Sequence, residues 1–439
     1  MNELSGDAKR RIEEAIVDIL SFSSGRPSPR TLNEYSSRDW ERGLAWMDDM
    51  GLALYFLKAI EETEDVVPDF VIQSLQRKRR ANEERTAYMQ RQFECIGRRF
   101  ENAGIRYAAV KGLTLVPDYC PDASQRHQSD FDYLTDHEGL YTSSRLLEEM
   151  GYVLDQETDR ERVFVYPCQQ KPERGDTQYG ASAPHSVEMH LTIGHFNLAW
   201  KEPPFLENVA VRRFQGSTFH SLCDVDSFVL QAVHAFHHLL EGWIKLSWLF
   251  EIGHFIDSRE LNSDLWHNIS RRISGDPLLR EAVAVVVVLA SQFFRVQVPV
   301  AVEVWIREIR PAVLIWIENY ARICAFGRAR IDEFEWFPAC KLVLFLHRQY
   351  VPDSREWRRI ATTLLLGLKG LKRVSHSLTT KRLAEGKPRI RIGVRQFRRT
   401  MFHLGSGIRY LWEMPRWWQL TRACPPNESY FKRGCSPAA

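Results

Sequence analysis

Two short segments decide how the chain reads: IRYAAVKG at 105–112 and SDFDYL at 129–134. Ile105 to Val110 is short and apolar, with Gly104 before it and Lys111-Gly112 after it, the pattern of a strand entering a turn. In the second segment Asp130 and Asp132 alternate with Phe131 and Tyr133. Residues i and i+2 of a strand share a face, so both carboxylates point the same way, with Cα atoms roughly 6.5–7 Å apart. That spacing lets them share one hard cation or bracket two. Phe131 and Tyr133 then face the other side, toward a packing helix.

A third segment, VEMHLTI at 187–193, alternates in the same way: Val187, Met189 and Leu191 against Glu188, His190 and Thr192. A neighbouring strand in that register places Glu188 beside the Asp pair. Clustered carboxylates repel unless a cation sits among them. Mg²⁺, or Mn²⁺, carried with a nucleoside triphosphate is the natural occupant, because it bridges phosphate oxygens and takes few protein ligands. Glu188 completes the coordination or accepts the nucleophile's proton. His190 reads as a hydrogen-bond partner of the carboxylates. Gly112 permits close approach of the backbone to phosphate and Lys111 adds a point charge. Arg126 either holds a phosphate or fixes the Asp130 loop through a bidentate pair. Asp224 and Asp226 repeat the D-x-D spacing, but they open an apolar helical run and read as a helix cap.

Around this core the periodicity is helical. The expected organisation is a helical N-terminal region (1–103), an α/β core (104–222), a helical C-terminal region (223–420) and a disordered tail (421–439). The fold class is α+β: a small mixed sheet between large helical flanks. Expected helices include one long element over Ile72–Phe100, then Gly139–Met150, Ile244–Ile256, Leu278–Phe294, Val302–Phe326, Trp336–Tyr350, Arg355–Ser375 and Gln396–Trp418. Lys387–Arg391 reads as extended, and Gln169–Pro184 as an exposed hairpin loop. His234 and His238, at i and i+4 on one helix, could share a metal or support the cleft, and Lys245 after Trp243 is a candidate phosphate contact.

With the motifs GIRYAAVKGLTL (104–115), SDFDYL, LLEEMGY (146–152), VEMHLTI and AVHAFHHLLEGWIKLSWLFEIGHFI (232–256), the chain resembles the uncharacterised nucleotidyltransferase-like family of bacteria. That family lies within the polymerase-beta-like nucleotidyltransferase superfamily. The resemblance implies that Asp130 and Asp132 are the catalytic pair, with Lys111-Gly112, Arg126 and the Glu188/His190 pair in the family's corresponding positions. It also implies Mg²⁺-dependent transfer of a nucleoside monophosphate from an NTP, ATP foremost, to a hydroxyl on a small molecule or peptide, in a biosynthetic pathway for a modified peptide or other natural product. The wider superfamily carries Gly-Gly or Gly-Ser where this chain has Lys-Gly. Glu251 stands where the family commonly has Asp.

Bulk properties constrain the alternatives. The 439 residues are 44% apolar and carry a net charge of +3. No run of about 18 apolar residues occurs, so no membrane span is expected. A charged N-terminus without a secretory pattern and eight cysteines without a CxxC pair point to a cytoplasmic protein with reduced thiols. Residues 355–409 hold 15 Lys/Arg against 2 Asp/Glu, which leaves the remainder at −10. That asymmetry admits nucleic acid as a partner. Two other functions fit the same residues: a phosphotransferase using the same site, and a non-catalytic peptide- or nucleic-acid-binding protein acting through the basic helices.

Overall fold

The computed structural model describes residues 2–22, 32, 34–63, 67–167, 179–180, 183–192, 198, 200, 203–214, 217–326, 330–332, 335–336, 340–351, 353–366 and 389–424. Four helices lead: α1 (Asn2–Ile19), α2 (Ser37–Met50), α3 (Ala53–Glu62) and α4 (Asp69–Asn102). The strand segments then form β1 (Tyr107–Val110) and β2 (Asp130–Thr135), followed by α5 (His137–Glu149), β3 (Val153–Glu157), β4 (Glu161–Val165), β5 (Ser186–His190), β6 (Val209–Phe214) and β7 (Ser217–Leu222). These seven strands make one mixed sheet in the order β3-β4-β5-β2-β1-β7-β6. The class is α+β, as the periodicity predicts.

Period-2 alternation sorts the sheet into two faces. Tyr107, Ala109, Phe131, Tyr133, Val187 and Met189 turn to one side and pack with Met89, Phe93, Ile96 and Phe100 of α4. Phe93 stacks on Tyr133 at 6.1 Å and tilts onto Phe131 at 6.0 Å, geometries favoured by the ring quadrupoles. Ala108, Val110 and Leu134 turn the other way and join the helical core. Asp130, Asp132, Glu188 and His190 share that second face by the same alternation.

The helical core is built from α6 (Asp224–Leu240), α7 (Leu246–Ser258), α8 (Ser263–Ile273) and α9 (Pro277–Phe294) together with α1–α3. α9 is apolar all round because it is buried all round: Ala282 through Val287 are solvent-free. Further helices cover Val300–Arg307, Pro311–Trp316, Val343–Tyr350, Ser354–Leu366 and Arg389–Thr421.

Several expectations need correction. The single helix expected from Val302 to Phe326 breaks before Pro311. Arg310 there is extended (φ −59°, ψ 141°), as a residue preceding proline prefers, and the helix restarts at Pro311. Residues 389–391 are helical rather than extended. Three strands went unread. β3 lies at the sheet edge with four of its five residues exposed, so it carries no apolar alternation. β6 and β7 form a hairpin at the opposite edge. α8 was also missed, although Asn262 caps it by accepting from Leu265 N at 3.1 Å and its apolar residues Leu265, Trp266, Ile269 and Ile273 are buried. Most of the 169–184 loop, His195 and the tail past 424 lie outside the described residues. Cys95, Cys120, Cys223, Cys324, Cys340 and Cys424 are free thiols.

Candidate active site

β2 and β5 run parallel, and their register sets Asp132 opposite Glu188 and Asp130 opposite Ser186. Asp132 is therefore the residue at which the acids converge. Asp132, Glu188 and His190 offer ligand atoms within 4.8 Å of one another, and Asp132 itself is only 4% exposed. His190 Nε2 lies 3.1 Å from Asp132 Oδ1 and 3.6 Å from Glu188 Oε2, while its Nδ1 faces Glu161 at 3.5 Å. Asp130 stands outside this group of three, two residues back on the same face. The sequence reading gave the metal role to Asp130, Asp132 and Glu188 and assigned His190 support. The geometry groups His190 with the acids.

This donor set fits a divalent cation. Carboxylate oxygens suit Mg²⁺ and Mn²⁺, and an imidazole nitrogen extends the range toward later transition metals. The electrostatics agree. Burial, then the charge of Asp132, push the Glu188 carboxyl well above its ordinary range. Asp130 is raised for the same two reasons. Burial works against the Asp132 charge too, but Lys111 and His190 outweigh it and hold Asp132 well below the usual carboxylate range. Ionisation is thus favoured at Asp132 and disfavoured at Asp130 and Glu188, a cost that a bound cation would offset.

Lys111 is placed differently from the phosphate contact expected of it. Its Nζ donates to Asp132 Oδ1 at 2.6 Å, an internal counter-charge for the buried acid. Its backbone has φ 57° and ψ −161°, a region comfortable only for glycine. Lys111→Gly and Lys111→Ala both remove the ammonium, so the difference between them reports the backbone alone. Lys111→Gly should be the more stable by about 1–2 kcal/mol, read by denaturant melting. Equal stabilities would show that the turn relaxes without cost. Gly112 follows with φ +50°, and a Cβ there would fall 2.6 Å from Gln128 Nε2. The helix after it is a single 3-10 turn, Gly112–Leu115.

Arg126 pairs with α7 rather than with Asp130: its Nε donates to Glu251 Oε1 at 2.9 Å, and the Tyr55 hydroxyl donates to the same oxygen at 2.9 Å. Glu251 thus has a buried role, joining α3, the Arg126 loop and α7. Lys245 caps the start of α7. Burial lowers its pKa while the field of Asp130 opposes that shift. Its Nζ lies 5.8 Å over the Trp248 ring. His234 and His238 touch at 4.5 Å between centroids, and both pack on Trp248 at 4.8 Å. Trp243 closes this aromatic wall at 4.3 Å from His238. Burial lowers the His238 pKa, with Lys111 and Lys245 adding to it and the neighbouring Glu241 carboxylate opposing it.

The sequence reading missed Arg85 altogether. This buried guanidinium donates to the carbonyls of Gln128 (2.6 Å), Gly180 (3.1 Å), Ala183 (2.9 Å) and Pro184 (3.2 Å). It fixes both the segment entering β2 and the segment entering β5. On α4 nearby, Asn82 Nδ2 donates to Ser124 O and Arg126 O. The available signal was an Arg and an Asn at i and i+3 on a long, mostly charged helix, which does not stand out from solvated positions.

The model of the uncharacterised nucleotidyltransferases matches residues 36–295. The chain belongs to this family. No curated protein matches the sequence. The family span reaches from α2 to the end of α9, so it contains the whole sheet, the acid cluster and the aromatic wall. The helices after residue 295 lie outside it.

One residue of this nucleotidyltransferase fold makes stability pH-dependent without touching the acids. His185 is 4% exposed, stacks on Tyr166 at 5.3 Å and bonds the Tyr152 hydroxyl at 2.9 Å. Burial, then the Arg85 charge, push its imidazole down to about 4, against an unfolded value of about 6.5. The unfolded chain therefore takes up the proton first. Stability is complete above pH 6.5 and falls as pH drops toward 4, by up to about 3 kcal/mol. His185→Gln should flatten that part of the Tm–pH curve. An unchanged slope would show that His185 is not its source.

Proposed function

We propose that the protein is a divalent-metal-dependent nucleotidyltransferase, Mg²⁺ being the first candidate. It would move a nucleoside monophosphate from an NTP to a hydroxyl acceptor and release pyrophosphate. The observation that carries the reading is the in-register pairing of Asp132 with Glu188 across β2 and β5, with His190 completing a donor set, in a chain of the nucleotidyltransferase family. When bound there, a divalent cation supplies charge neutralisation for the triphosphate and for the developing oxyanion.

The chain's own groups take the remaining roles. Asp132, Glu188 and His190 would hold the cation, and Asp130 on the same face would complete its surroundings. The alternative role for Glu188, in place of coordination, is to accept a proton from the acceptor hydroxyl. Lys245 would supply positive charge to the phosphates, while Lys111 holds Asp132 and Arg126 holds Glu251. The cluster of His234, His238, Trp243 and Trp248, its rings tilted against one another, would offer aromatic contacts for the base or the acceptor.

The test is incubation with Mg²⁺ and NTPs labelled at the α- or the γ-phosphate, with cell extract supplying the acceptor. The reading expects α-label in a product, lost in Asp130→Asn/Asp132→Asn. Transfer of γ-label alone would replace it with phosphoryl transfer. Equal labelling by wild type and double variant would sink the enzymatic reading at this site.

A further inference from the structure

The C-terminal helix Arg389–Thr421 has two apolar faces. His403, Tyr410 and Trp417 recur every seven residues on the inner face and are buried. There Trp417 stacks on Phe345 at 4.9 Å and Tyr410 lies 4.8 Å from the same ring. The opposite face carries Met401, Leu404, Ile408, Leu411, Trp412 and Trp418, all exposed, with Trp412 at 86% and Trp418 at 68%. Met401, Leu404, Ile408 and Leu411 follow a 3-4 alternation, and Trp418 stands seven residues further on, past Pro415, on the same stripe of the helix. In sequence the same spacing continues back through Phe397, Val394 and Ile390. Scattered exposed apolar residues need no explanation, but a continuous stripe of this kind marks an interaction surface.

Charge selects the occupant. The helix holds seven Arg and one acid, Glu413, and Arg409 and Arg416 are exposed along one border of the stripe. Two copies of such a helix would repel, whereas an anionic surface would attract it. An apolar stripe with Trp, bordered by Arg, is the composition of a helix that lies in the headgroup layer of a bilayer. Spanning is not the mode: among the described residues the one helix long and apolar enough to cross a membrane is α9, and 72% of its window is buried inside the fold.

We infer that the C-terminal helix docks the protein, by its outer face, on an anionic lipid surface. The inference is independent of the transfer chemistry. Its test is flotation of the full-length protein with vesicles of phosphatidylcholine alone, or of phosphatidylcholine with about a third phosphatidylglycerol. Wild type should partition onto the anionic vesicles at least about tenfold more strongly than onto the neutral ones, and less so as salt rises. Leu404→Glu/Ile408→Glu/Leu411→Glu should abolish partitioning, and Arg409→Glu/Arg416→Glu should weaken it. These positions are exposed, so melting temperature should hold. Should the triple variant fail to fold, Trp412→Ala takes its place, with a several-fold loss expected. Wild type that stays off anionic vesicles, or a triple variant that binds as wild type does, would overturn the inference. So would a wild-type dimer that the triple variant renders monomeric, or tight RNA binding by protein that ignores vesicles. Those results would assign the face to a second copy or to nucleic acid.

Discussion

Asp132→Asn is expected to lower nucleotidyl transfer by about 10³-fold, equivalent to about 4 kcal/mol of transition-state stabilisation. The change is isosteric, so what it removes is charge. Asp132 is the acid held ionised by Lys111 and His190, and it is the residue around which Glu188 and His190 gather. The amide would leave the Lys111 ammonium without its 2.6 Å carboxylate partner in a buried setting, so a loss of stability of about 1–3 kcal/mol should accompany the loss of activity. The fold supplies its own control. Asp224 belongs to the second D-x-D of the chain but pairs with Arg212 at the start of α6, and Asp224→Asn should retain transfer. Loss of activity in both variants with equal destabilisation would mean that Asp132 acts through folding alone.

Arg85→Ala should produce the largest loss of stability, about 3–5 kcal/mol. Four backbone carbonyls converge on this one guanidinium, and an alanine leaves all four buried without that donor. Burial lowers the Arg85 pKa, with Asp130 opposing it. Lysine should not rescue it, because a compact ammonium cannot span the positions that a planar fork reaches. The measurement is Tm together with amide hydrogen exchange at 126–134 and 183–190. Exchange rising in both segments at once would establish that Arg85 couples the entries of the two acid-bearing strands. A variant that melts and exchanges as wild type does would remove that role.

The acid strands were legible in the sequence because one face of the sheet packs on apolar side chains of α4 while the other carries the acids, which gives period-2 alternation. Phe131/Tyr133 and Asp130/Asp132 could only be opposite faces of one strand, and Val187/Met189 against Glu188/His190 gave the second. What the letters did not carry was pairing. Nothing in the sequence sets Asp132 rather than Asp130 opposite Glu188, and that register is what groups His190 with the acids. Partners remote in sequence were equally invisible. Arg126 read as a phosphate contact or a partner of the Asp130 loop, because Glu251 lies 125 residues away. Lys111 read as a phosphate contact because its reach to Asp132 depends on β1 and β2 lying antiparallel. The edge strands β3 and β6 were missed because an exposed edge needs no apolar pattern. The aromatic wall was visible only as a Trp- and His-rich run, since its rings meet across the turn between α6 and α7.

The parallel pairing of β2 with β5 also has a meaning in folding time. Val110 and Asp132 pair within one local excursion of 22 residues, whereas Asp132 and Glu188 are separated by 56. Between the latter lie α5, β3, β4 and residues 169–184, so their meeting closes a longer stretch of chain than the β1–β2 pair does. The β1–β2 pair can exist early with Lys111 already against Asp132. The donor set of Asp132, Glu188 and His190 is complete only once the crossover closes. A nascent or partly unfolded chain therefore holds no finished cation trap, and its acids remain compensated by its own lysine until the fold is done.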